Sequence, residues 1–353
     1  MLEFLRKDLI LILAMTAVIV SLSYAIGFVT KSPANNFETQ PAFLEHDRAP
    51  KAQSATSRIW KEHSFDKMLT LGAAKVTNPE IMRVANSGEV YVLDWADLKI
   101  KRFSTAGDLL SVFGSGKGRK EAGAFLNPTD FSITPNGELW VCDPPQGKLT
   151  HFQPDGTAQA LEMRKGLYRV VVLGDSLVTM APPSTTGVFE VYNLSGTQLR
   201  SFGEFLQNQS QQGTMLDGEI TGDESGGFVY GGRHLSVIAA YNAEGVPRFI
   251  AHTIDGNALP KVLHVDGRVK VKPNSANGVL SVSTVGDYLY VLSDTRVDNG
   301  KGGQVMDVYD KRNGQYVYSL RLPLPCRDAV VHADMVYTLG DEGVTGWRFR
   351  QSS

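Results

Sequence analysis

NPEIMRVANSGEVYVLD (78–94) lies over NPTDFSITPNGELWVCD (127–143) without a gap, at an offset of 49 residues. Each stretch alternates apolar and polar residues, turns at Asn86-Ser87-Gly88 or Pro135-Asn136-Gly137, and resumes as an apolar strand ending in Asp94 or Asp143. Asn and Gly tolerate positive φ, which a short hairpin turn demands. The repeated object is therefore a hairpin of two β-strands.

A second mark recurs further along each unit. An aromatic residue is followed four places later by glycine in FSTAG (103–107), FQPDG (152–156), YNLSG (192–196) and YNAEG (241–245). YDKRNG (309–314) carries one extra residue, and Phe349 lies where the chain ends before a turn. Each unit reads as four antiparallel strands, A to D, with the aromatic closing strand C and the glycine turning into strand D. Four-stranded units at this spacing are the signature of propeller blades.

The last unit supplies strands A (about 327–332), B (335–340) and C (344–350), but no D. FDKMLTLG (65–72) resembles the D strands DLLSVFG (108–114) and TQLRSFG (197–203), yet it precedes the first A strand. An N-terminal strand that completes the last blade pairs two edges otherwise prone to aggregation. Residues 65–350 number 286, or about 48 for each of six blades. The expected fold is thus all-β, a six-bladed β-propeller closed by an N-terminal strand.

The pattern resembles the NHL-type six-bladed propellers, whose repeat runs from an FG lead-in through a G-x-F segment to a strand ending in VAD. FGSGKGRKEAGAFLNPTDFSITPNGELWVCD (113–143) carries most of it, with Cys142 where that family prefers Ala, and Asp94 keeps the terminal Asp in the first blade. The later blades place Ala181, Gly231, Ser293 and Gly340 there. The resemblance implies, as the alternative to a non-catalytic binding module, a metal-dependent lyase or lactonase-type hydrolase with its site at the central channel.

Composition narrows the partners. Thirty-five basic residues stand against 37 acidic ones, without the basic excess of a dedicated nucleic-acid binder. Cys142 and Cys326 fall in non-adjacent blades, so two free, buried thiols are expected.

Arg6 and Lys7 precede an uncharged apolar run of 21 residues, 9–29. As a helix it would measure roughly 31 Å, the thickness of a bilayer core. Positive-inside logic places the N-terminus in the cytoplasm and the rest outside. The expected organisation is a signal-anchor transmembrane helix over 1–29, a flexible linker over 30–57 containing Pro33, Pro41 and Pro50, and the propeller over 58–353. A signal peptide cleaved after Ser23-Tyr24-Ala25 is the alternative, and it too exports the domain to the periplasm or cell surface.

Function is expected on the end of the propeller carrying the B–C and D–A loops, which are long and irregular here. The candidate ligand-binding residues follow B strands: Trp95 and Asp97, Arg233 and His234, Asp294 and Arg296. They suit a protein or glycan ligand, because Trp and Arg bring large contact area and directional hydrogen bonds. No catalytic set is read and no cofactor is required. In the enzyme alternative His234, His252 and His264 would hold a divalent metal, zinc or calcium. Asp94 and Asp143 are expected to cap backbone N–H groups. The glycine run 114–120 lacks the Gly-Lys-Ser/Thr ending of a phosphate loop and reads as an interblade connection.

Overall fold

The computed structural model describes residues 37–351, apart from 46–48, 73, 120, 165, 185–186, 209–212, 267 and 297–301. The proposed signal-anchor, 1–29, lies outside the described residues. Among the described residues no helix is long and apolar enough to cross a membrane.

Six four-stranded antiparallel sheets form the framework of the described chain. Sheet one comprises Pro79–Val84, Val90–Asp94, Lys99–Phe103 and Leu109–Phe113, and sheet two Asp130–Ile133, Leu139–Asp143, Lys148–Phe152 and Ala158–Glu162. Sheet three holds Arg169–Leu173, Ser176–Ser184, Gly187–Asn193 and Gln198–Phe202, and sheet four Gly218–Gly222, Phe228–Gly232, Val237–Tyr241 and Pro247–His252. Sheet five holds Val279–Val285, Tyr288–Ser293, Val305–Asp310 and Tyr316–Arg321. Sheet six takes Asp328–His332, Met335–Gly340 and Gly343–Gln351 from the C-terminal end, and its outer strand, His63–Leu71, from the N-terminal end. Phe65 stands opposite Phe349 in that closing pair, and their rings stack 6.3 Å apart.

The repeat marks explain these hairpins. Phe103, Phe152, Tyr192, Tyr241 and Tyr309 lie at or next to the ends of their C strands and are buried. The glycines that follow, from Gly107 to Gly314, hold φ between 75° and 90° at the turn, a region that costs L side chains energy. Apolar side chains then fill the seams between sheets. A separate buried cluster occupies each seam between successive sheets, and one built from Leu71, Met82, Val92 and Leu339 joins sheet six to sheet one. The fold is propeller-like, with one layer of core per seam. Cys142 and Cys326 are free and buried. The glycine run 114–120 contributes Gly116–Lys117, paired in parallel with Ala124–Phe125, to the connection between sheets one and two.

The stretch expected to be a linker behaves differently over its described residues. Phe37–Thr39 pairs with Val262–Val265, which forms a hairpin with Arg268–Val271. Phe43 bridges to Leu206, Lys51 lies along Ala251 on the outer strand of sheet four, and Trp60 lies along Ser319 on the outer strand of sheet five. This belt then runs into the closing strand of sheet six. It lacks periodicity because it is held through backbone pairing at sheet edges, which asks little of the side chains.

One side chain of the belt is decisive. Arg58 donates through Nε and Nη2 to both carboxylate oxygens of Asp307, at 2.9 and 2.8 Å, and reaches Asp255 at 2.5 Å. Asp307 is almost wholly buried and also accepts from Ser319 Oγ. Burial opposes the Arg58 charge, but the two carboxylates outweigh it and push its pKa further up. Gln53 adds hydrogen bonds to the carbonyls of His252 and Gly314 and accepts from the Tyr316 amide.

Removing one partner of a buried pair strands the other charge. Arg58→Met should therefore destabilise the protein by about 3–5 kcal/mol in urea unfolding. A loss under 1 kcal/mol would show that the belt is a passive strap.

Candidate site at the channel mouth

The first strands of successive sheets pack against one another, so each lies innermost with its free edge toward the axis of the ring, the channel of a propeller. Unpaired backbone N–H groups there need acceptors. Side chains of the neighbouring sheet supply them: Asp130 accepts from Val170 N at 3.0 Å, Asp328 from Met82 N at 3.3 Å, and Ser281 from Ala329 N at 3.0 Å.

The carboxylates so placed draw in arginines. Arg83 pairs with Asp130 at 2.5 Å, lies 3.6 Å from Glu219 and 4.0 Å from Asp328. Glu219 also receives Arg169 at 2.8 Å and Arg233 at 3.1 Å, and both guanidinium groups lie within 4 Å of Asp217. Three arginines and four carboxylates from five of the six sheets thus form one network. Burial would raise the pKa of Glu219, but Arg169, Arg83 and Arg233 together hold it below the usual carboxylate range. Burial prevails at Asp130 and Asp328, which are raised despite Arg83.

The structure distributes the residues expected from sequence over two places. Arg233 and Asp294 are joined through Asn277 and Gly278, with His234 next to Arg233 in the chain. Gly278 N donates to Arg233 O and Asp294 N to Gly278 O, while Asn277 Nδ2 donates to Asp294 at 3.0 Å. Trp95 and Asp97 stand apart, on the seam between sheets one and two. Trp95 is 36% exposed and its indole N–H donates to Pro128 O at 3.2 Å. Asp97 pairs with Lys101 at 3.2 Å. Arg296 is exposed.

The structure does not bring the three histidines of the metal alternative together. His264 sits on the accessory hairpin, stacked on Phe37 at 4.3 Å and bonded to Thr39. His252 ends the outer strand of sheet four and meets Phe43 edge-on at 5.2 Å, while His234 lies at the channel mouth. The three imidazoles do not converge, and among the described residues no group of three or more His, Cys, Asp or Glu is arranged to hold a metal ion.

Asp94 and Asp143 do bind backbone N–H groups. Asp94 accepts from Thr77, Asn78 and Ala96, and Asp143 from Leu126 and Asn127, so each ties the entry of strand A to the end of strand B.

Sequence reading missed Arg83, Asp130, Arg169, Asp217, Glu219 and Asp328. The available signal was a charge inside or at the head of an innermost strand, as in DFSI (130–133), RVVVL (169–173) and DAVVH (328–332). Three buried nitrogens at this mouth or beside it lack a hydrogen-bond partner: Arg169 Nε, Arg233 Nε and His234 Nδ1.

No protein-family model matches this chain, and no curated protein matches it in sequence. Solved structures do match. One is a protein of Bacteroides fragilis described as exported, at 13% identity and a TM-score of 0.53, covering 86% of this chain and 99% of that one. Another is a catalytically inactive variant of virginiamycin B lyase from Staphylococcus aureus, with quinupristin, at 12% identity and a TM-score of 0.50, covering 90% and 100%. Likeness at such identities shows the propeller-like fold. The NHL resemblance remains confined to the motifs of the first two units.

Burial lowers the pKa of both His234 and His252 below the ordinary imidazole value. The unfolded chain takes up those protons near pH 6.5, before the folded chain does. Their contribution to stability is thus complete above about pH 6.5 and is lost as pH falls through the folded values. Thermal melts between pH 7.5 and 5 should show a steeper loss for the wild type than for His234→Gln/His252→Gln. Identical slopes would assign the acid sensitivity to other groups.

Proposed function

We propose that this chain is a six-bladed, NHL-like propeller, held on the extracytoplasmic side of a membrane by its N-terminal apolar segment, and that it acts as a non-catalytic binding module for a protein or glycan. The supporting observation is the channel-mouth network. Its arginines and carboxylates are committed to one another, which makes a rigid platform. Arg233, whose side chain keeps about 33% of its surface exposed, stands at its outer side. A ligand rich in carbonyl, carboxylate or hydroxyl acceptors suits that guanidinium, and Trp95, apart on the seam between sheets one and two, offers a partly exposed aromatic face. The likeness to a protein described as exported accords with a location outside the cytoplasm.

Arrays of glycans and of peptides, probed with the full chain in nanodiscs, test this reading. Arg233→Lys keeps the charge but loses the planar fork. It and Trp95→Ala should each weaken binding of an array-selected ligand at least tenfold, with the melting temperature within a few degrees of wild type. Binding insensitive to both substitutions, or mapped by hydrogen exchange to the opposite turns, would overturn the assignment. Proteolysis of sealed vesicles should find residues 37–351 on one side and Arg6 and Lys7 on the other.

A further inference from the structure

Residues 30–36 separate the last residue of the apolar run, Val29, from Phe37, where the belt begins. Those eight steps of chain span at most about 28 Å. A compact body of this size has a radius of gyration of about 20 Å, so its far side lies beyond that reach. If residues 9–29 anchor the chain in a membrane, the side carrying Phe37–Thr39 faces that membrane.

That side is basic. In the hairpin of Val262–Val265 and Arg268–Val271, Val269 and Val271 pack inward against the core between sheets three and four. The strand's period of two turns Arg268, Lys270 and Lys272 outward, and all three are exposed, as is Lys261. Two carboxylates lie among them: Glu38, bonded to Lys261 at 2.7 Å and Lys272 at 3.0 Å, and Asp266 at the turn. Arg268 and Lys270 make no ion pair among the described residues. The patch is thus net positive in a chain whose formal charge is −2.

We infer that this hairpin is a docking surface for an anionic phospholipid bilayer, laying the propeller against the membrane on the side of sheets three and four. Clustered Lys and Arg beside a membrane segment are drawn to anionic headgroups over about a Debye length. The inference rests on the membrane-anchor reading of residues 9–29 given above. Sheet one, across the ring from sheet four, would face away.

The full chain is placed in nanodiscs of zwitterionic lipid alone or with 30% phosphatidylglycerol, each carrying headgroup spin labels. A fluorophore is attached at Pro273→Cys beside the patch or, as control, at Leu110→Cys on sheet one. The native thiols are buried and stay unlabelled. At Pro273→Cys, quenching should at least double with phosphatidylglycerol, fall back in 0.5 M salt, and be lost in Arg268→Glu/Lys270→Glu. The Leu110→Cys probe should not respond. An inserted chain whose Pro273→Cys probe is unquenched, or equally quenched in both lipids, overturns the docking surface. A chain that fails to insert overturns the anchor reading instead. Sedimentation of that same chain with phosphatidylglycerol vesicles then decides the patch: binding abolished by the double charge reversal supports it, and no binding overturns it.

Discussion

The free edge of the innermost strands is the constraint on which the rest of this molecule depends. A sheet whose first strand borders a channel exposes a row of backbone N–H groups that no fifth strand can pair. Here the acceptors come from the preceding sheet: Asp130 for Val170, Ser132 for Val172, Ser281 for Ala329, Ser283 for Val331 and Asp328 for Met82. These bonds cross the seams next to the channel, while the apolar clusters fill the same seams further out. Polar bonding at the axis and apolar packing outside it fix the sheets in one mutual arrangement.

The outer edges are managed differently. Sheet six obtains its outer strand from His63–Leu71, and the belt lies along the outer strands of sheets four and five. A single stretch of chain thereby closes the ring and shields two further edges. The Arg58 clamp fixes its path, since a guanidinium bound to Asp307 and Asp255 cannot slide by one residue without stranding three charges. The outer strand of sheet one, by contrast, leaves Leu109, Leu110 and Val112 exposed.

The sequence made the sheets legible because their turns need special residues. Gly107 or Gly156 can hold its turn where an L side chain is strained, and the aromatic before it caps a seam, so both recur at fixed spacing. Strand boundaries consequently fell within a residue or two, as for His63–Leu71 and Gly343–Gln351. The belt was illegible because backbone pairing at an edge leaves no periodic imprint, and Arg58 among Ser57, Ile59 and Trp60 looks like any surface cation. The channel mouth was half legible. Arg233, His234 and Asp294 follow B strands and could be placed on one end, but Asp130, Arg169 and Glu219 lie within A strands, outside the loops where function was sought. Their partners come from other sheets, and that proximity is set by ring geometry rather than by spacing along the chain.

The charge at the mouth exceeds what the edge constraint requires. Ser281 serves Ala329 with a neutral hydroxyl, at the same 3.0 Å with which Asp130 serves Val170. A serine at 130 or 328 would satisfy those N–H groups without placing a carboxylate in a buried site, where burial already raises the pKa of both aspartates. Glu219 and Asp217 accept no backbone N–H in this set, yet they recruit Arg169 and Arg233. Buried ion networks are weak sources of stability compared with apolar packing of equal volume. A propeller needing only closure would therefore keep the serines and drop the arginines. Retaining three guanidinium groups in fixed orientation at one end of the channel accords with the ligand-binding role proposed above, with His234 beside them and Trp95 on the separate seam between sheets one and two.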